Sequence, residues 1–157
     1  MKTFIQSVLF ITFYAFALVG FAQKGAGDAQ GVSSQGLNPE LLEMEGTIER
    51  IASGPCKYTT GRAAAGTHLF VKTQETLVNV HLGPSDKVFP LFTATEGDRI
   101  AMTLFRTDKL PPDEYIAKEV SINGKTTVLR DGSLKPMWAG KHKEKWRKGK
   151  QPAPKQE

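Results

Sequence analysis

The chain has 157 residues, 24% of them charged and 39% hydrophobic, which excludes a long disordered polymer and a multi-span membrane protein. Lys and Arg outnumber Asp and Glu by 21 to 16, and the excess is local, because residues 141–157 carry seven Lys or Arg against two Glu. The single cysteine, Cys56, excludes an internal disulfide framework and any multi-cysteine zinc or iron–sulfur site made by one chain.

Residues 1–22 begin with one early positive charge at Lys2, continue through an apolar stretch from Val8 to Val19, and end in Gly20-Phe21-Ala22. This is the pattern of a secretory signal peptide cleaved after Ala22. An uncleaved anchor is the alternative, disfavoured because the apolar run falls short of the ~20 residues that span a bilayer. The expected destination is the bacterial periplasm, with the extracellular space left open. Residues 23–43 carry Gly25, Gly27, Gly31 and Gly36 among Ser, Gln and Asp and offer little to bury. They read as a flexible linker.

From Met44 to Trp138 short runs rich in β-branched residues alternate with Gly, Pro, Asn and Asp turn signals, an all-β pattern. A first strand is predicted over Met44–Ala52, bulged where the apolar period slips from Ile48 to Ile51. His68–Thr73 and Thr76–Leu82 form a predicted hairpin around Gln74 and Glu75, with Leu69, Val71, Val78, Val80 and Leu82 facing the core. His68, Phe70, Asn79 and His81 then share the opposite faces. Gly83-Pro84 stops the strand, and a single helical turn within Ser85–Phe92 is expected, capped by Ser85 or Asp86. Ile100, Met102 and Leu104 mark the core side of the next strand. Tyr115–Ile122 and Lys125–Arg130 form a hairpin around Asn123-Gly124, residues that tolerate positive φ. Pro136-Met137-Trp138 is expected to fold back onto the domain. Five or six antiparallel strands with one short helix after the third fit a small OB-like barrel over residues 44–138; a small β-sandwich is the alternative. Residues 139–157 read as a basic disordered tail.

Gly66-Thr67-His68-Leu69, Val78-Asn79-Val80-His81-Leu82-Gly83-Pro84, Glu96-Gly97-Asp98, Ala117-Lys118-Glu119-Val120, Leu129-Arg130-Asp131 and Pro136-Met137-Trp138 form a series that resembles the MamS/MamX-type magnetosome domain family. The resemblance covers residues 44–138 and rests on the order of the motifs. It implies a small exported β domain. Some magnetosome members carry Cys-x-x-Cys-His haem sites, and this sequence has no such motif, so no cofactor is expected.

Three surfaces are candidates for function. Phe70, Asn79, His81, Phe105 and Arg106 lie opposite or beyond the core-facing positions and mix aromatic with polar groups, so they are the expected exposed contributors to a ligand face. His68 and His81 fall on one face of paired strands with the Cys56 loop before them, and together they offer imidazole and thiolate to a soft metal. Against this, half-exposed histidines commonly just hydrogen-bond on a sheet. Cys56 lies in a turn, where exposure and an intermolecular disulfide are both open to it, and Lys57–Gly66 reads as a long exposed loop bordering a groove. The tail offers Lys141, Lys143, Lys145, Trp146, Arg147, Lys148 and Lys150 to anionic lipid or polysaccharide. Nucleic acid is a disfavoured partner for an exported chain. No triad, nucleophile elbow or phosphate loop is present in the sequence. The expectation is a non-enzymatic binding or accessory module of the envelope with a protein partner. Iron or copper handling and anionic-surface binding are the alternatives.

Overall fold

The computed structural model describes residues 31–59 and 63–139. Residues 1–22, read from the sequence as a signal peptide, the first part of the linker (residues 23–30) and residues 140–157 lie outside them. Six strands make up the fold: β1 (Leu42–Gly54), β2 (Gly66–Lys72), β3 (Leu77–Pro84), β4 (Arg99–Phe105), β5 (Glu114–Ile122) and β6 (Lys125–Val128). One short helix, α1 (Ser85–Val88), follows β3. Among the described residues no helix is long and apolar enough to cross a membrane.

The long first strand organises the sheet. Its first half, Leu42–Thr47, pairs antiparallel with β4, and its second half, Thr47–Gly54, pairs antiparallel with β2. The change of partner coincides with a register shift between Ile48 and Arg50, where the sequence period slips. An extra residue there bends the strand and strengthens its twist, so that one strand serves both sides of a curved sheet. The order β3-β2-β1-β4-β5 then closes on itself through a β3–β5 pairing, and β6 is added beyond β5. This closed ring with one helix after the third strand is the OB-like all-β architecture the sequence predicts. The closing seam differs from the rest because β3 and β5 run parallel.

Strand alternation fills the ring. Leu69, Val71, Val80, Leu82, Met102 and Leu104 are buried together, each fully buried aliphatic side chain contributing about 1.5–3 kcal/mol. Val88 and Phe92 join the same core from α1 and the chain after it. The predicted side-chain cap is not made. Pro84 occupies the cap position, and the Ser85 hydroxyl instead meets the Ser53 hydroxyl at 2.8 Å and accepts from Thr67. Asn123 and Gly124 adopt φ of 51° and 76°, the left-handed pair that a two-residue hairpin turn demands.

The opposite side of β4 and β5 carries a second apolar cluster of Val32, Phe105, Leu110, Ile116 and Leu134. Val32 belongs to a 3-10 turn, Val32–Gln35, within the segment expected to be a flexible linker. That expectation is corrected for residues 31–43, where one buried valine anchors the turn and β1 begins at Leu42. The predicted return of the C-terminal segment is present: Trp138 packs against the main core and lies over Gly83.

Arg130 locks the seam. Its guanidinium donates from Nη1 to the carbonyl of Leu82 on β3 at 3.3 Å and to the carbonyl of Ala117 on β5. Phe105 and Trp138 lie 5.7 and 5.6 Å from it, the range of cation–π attraction. Burial lowers its pKa to about 10, so it remains charged at neutral pH. Arg130→Met keeps the bulk and leaves both carbonyls without this donor. It is expected to lower stability by about 2–4 kcal/mol, seen as a lower urea midpoint; an unchanged midpoint would show that the seam does not depend on the guanidinium.

Candidate metal centre

Residues on four strands and one loop converge outside the main core. His68 on β2 and His81 on β3 are direct cross-strand partners, and because Leu69 and Val80 point into the ring, both imidazoles point out of it. Their rings meet edge to face with centroids 4.5 Å apart. The expectation of a half-exposed sheet face is corrected here. His68 and His81 are only 8% and 3% exposed, since the parallel seam brings the start of β5 alongside β3 and the Cys56 loop folds over β2.

The loop reaches the histidines because of a glycine. Gly54, at the end of β1, pairs with Gly66, at the start of β2, and a Cβ on Gly66 would collide with Cys56 Sγ. The missing side chain is the space the sulfur occupies. Cys56 is consequently half-buried rather than exposed, and Sγ lies 3.4 Å from His68 Nε2.

Each histidine has one nitrogen engaged by an orienting residue. His68 Nδ1 lies 3.2 Å from Asn79 Oδ1. An amide oxygen only accepts, so Nδ1 carries the proton and Nε2 presents its lone pair to the Cys56 thiol. The Gly54 carbonyl, at 3.4 Å from Nε2, would favour the other tautomer, but the shorter Asn79 contact outweighs it. On His81, Nε2–H donates to Glu114 Oε2 at 2.7 Å. Its Nδ1 is buried with no hydrogen-bond partner. A buried polar atom left without a partner costs about 1–3 kcal/mol, so this imidazole nitrogen is a donor position open to a further ligand.

One donor atom from each of Cys56, His68 and His81 lies within 4.8 Å of the others. Bonds of about 2.0–2.3 Å from nitrogen and sulfur to a shared ion place such donors roughly 3.3–3.8 Å apart, so the widest pair needs about an ångström of closure. Desolvation by burial lowers the pKa of His81, with Glu114 partly opposing it, and this favours the neutral imidazole that ligates metals. Burial also raises the pKa of the Cys56 thiol, offset in part by Thr59 and Arg130. A metal held here would have to displace the thiol proton, because only the thiolate ligates.

The other sequence candidates do not assemble into one ligand face. Phe105, expected to be exposed, is 1% exposed within the second apolar cluster, because a fold this small covers both sides of β4. Arg106 is occupied, donating from Nη2 to the Leu110 and Pro111 carbonyls at 3.1 and 3.0 Å. Phe70 is half-buried with the Arg50 guanidinium 3.7 Å from its ring centroid. Asn79 serves His68. An open cleft of about 550 Å³ lies elsewhere, between Lys72, Arg99 and Gly124. The seven tail candidates, Lys141 to Lys150, lie outside the described residues. Sequence reasoning missed Glu114 and Arg130. The first reaches His81 only through the parallel seam, which leaves no local pattern, and the second ends a hairpin strand where nothing distinguishes a buried arginine from an exposed one.

A model of the MamS/MamX magnetosome protein family matches residues 40–127, more than half of the chain. No curated protein and no solved structure matches it. The matched span contains Cys56, both histidines, Asn79 and Glu114.

Gly66→Ala is expected to push the thiol out of its seat. The alkylation rate of Cys56 should then rise by about tenfold as burial is relieved, with the far-UV circular dichroism unchanged; an unaltered rate would show that the loop seats the sulfur without the glycine.

Proposed function

Because the chain belongs to the MamS/MamX magnetosome protein family, we propose that it is a non-enzymatic accessory module of the bacterial envelope that holds one transition-metal ion. The ion is held by Cys56 Sγ, His68 Nε2 and His81 Nδ1. The observation that carries this reading is His81 Nδ1, a buried and partnerless nitrogen on an imidazole whose other nitrogen is fixed by a carboxylate.

Several features support it. Metal-bound histidines commonly donate their second ring nitrogen to a carboxylate or carbonyl, which sets the tautomer and aims the lone pair, and Glu114 and Asn79 stand in those positions. The cysteine supplies a soft donor, and the two imidazoles suit first-row metals such as copper, iron and zinc. The histidines are held on two directly paired strands rather than on loops, so little reorganisation accompanies binding. The export sequence at residues 1–22 supplies the reading of an envelope address, and a metal would then be acquired after the chain has crossed the membrane.

Calorimetric titration of the purified protein under reducing, oxygen-free conditions with Co(II), Zn(II), Fe(II) and Cu(I) tests the reading. Saturation by at least one of them at one ion per chain is expected, together with thiolate-to-metal charge-transfer absorption for Co(II) or Cu(I). Cys56→Ser should abolish that absorption, and Glu114→Gln should weaken binding by about 10–100-fold by loosening His81. The absence of saturable binding for every metal, or binding unchanged in Cys56→Ser, would overturn it.

A further inference from the structure

The electrostatics around the donors go further than the donors themselves. Two fixed charges stand beside them. Glu114, hydrogen-bonded to His81, adds one negative charge, and the guanidinium of Arg130, only 9% exposed, adds one positive charge whose field acts on both Cys56 and His81. Neither charge is free to leave. Arg130 is held by the carbonyls of Leu82 and Ala117, and Glu114 is held at the start of β5 by the pairing of Asn79 with Glu114 in the closing seam.

Adding the thiolate that a bound metal requires gives two negative charges and one positive charge around the ion. A monovalent ion brings the sum to zero. A divalent ion leaves one uncompensated positive charge beside a buried guanidinium, and unpaired charge in a poorly solvated site is costly. The donor set points the same way. Glu114 is engaged by His81 Nε2–H, so the donors presented are one thiolate and two imidazoles, a soft set short of the four ligands that a closed zinc site takes.

Resting on the metal-holding reading above, we infer that the centre formed by Cys56, His68 and His81 selects a soft monovalent ion, Cu(I), over divalent ions, and that Arg130 and Glu114 set this selection by charge. The arrangement makes Asn79 the point at which the selection can be reversed. Its Oδ1 accepts from His68 Nδ1–H at 3.2 Å, a contact that an aspartate oxygen reproduces at nearly the same size. Asn79→Asp therefore keeps the hydrogen bond and adds one negative charge. The sum then closes to zero with a divalent ion instead.

The test is a pair of competition titrations under reducing, oxygen-free conditions, bicinchoninate being the competitor for Cu(I) and a chromophoric zinc chelator the competitor for Zn(II). Wild type and Asn79→Asp are compared. Cu(I) is expected to load wild type at one ion per chain and to exclude a tenfold excess of Zn(II). The ratio of Zn(II) to Cu(I) affinity should rise by about tenfold or more in Asn79→Asp. Glu114→Gln provides an independent check, because removing a negative charge should lower Zn(II) affinity by a larger factor than Cu(I) affinity. If metals bind through Cys56 but the Zn(II) to Cu(I) ratio is the same in wild type, Asn79→Asp and Glu114→Gln, charge selection is overturned and the metal-holding reading stands. Zn(II) displacing Cu(I) from wild type would overturn it equally. If no metal binds wild type, both fall.

Discussion

The parallel pairing of β3 with β5 is the constraint on which the rest of the molecule depends. Among the described residues every other strand pair is antiparallel, and without this seam the sheet would remain open, with β3 as an exposed edge. Closing it does three things at once. It encloses the apolar side chains of five strands in a single core, it sets Glu114 beside His81 although 33 residues separate them, and it creates the two-strand carbonyl site that Arg130 fills. The core and the candidate centre are thus products of one topological event. A weakened seam should disturb both, whereas a weakened centre need not disturb the core.

Burial dictates what the centre can do. An exposed His–His–Cys cluster would be protonated or oxidised according to the medium, and its donors would be solvated and mobile. Here the imidazoles are screened by the strands that carry them and by the Cys56 loop, the orienting hydrogen bonds are already made, and the open nitrogen of His81 has no water-exposed surface. Binding of the proposed ion would exchange a partnerless donor and a protonated thiol for bonds to metal, and would order the loop onto the ring. Gly66 is the steric condition for that arrangement and Arg130 its electrostatic boundary.

Much of the fold was legible in the chain. The period slip between Ile48 and Ile51 marked the bend of β1, Asn123-Gly124 marked the last hairpin, and the alternation through Leu69, Val71, Val78 and Val80 established both the β2–β3 register and the shared face of His68 and His81. The candidate centre was legible only by type and side: a thiol in the preceding loop and two imidazoles on one face. Its burial, its orienting partners and its counter-charges were not, because they come from contacts between residues far apart in sequence and from a parallel pairing that leaves no alternation of its own. Phe105 shows the opposite failure. Its position opposite Leu104 correctly placed it outside the main core, but a second cluster built from Val32, Leu110, Ile116 and Leu134 covers that side. An anchoring valine in a glycine-rich stretch gives no periodic signal.

X-ray absorption spectroscopy of the metal-loaded protein tests most directly the claim that Cys56, His68 and His81 share one ion. The account predicts one sulfur at about 2.2–2.3 Å and two imidazole nitrogens at about 2.0–2.1 Å, with the sulfur contribution lost in Cys56→Ser. An environment of oxygen and nitrogen alone in the unaltered protein would contradict it.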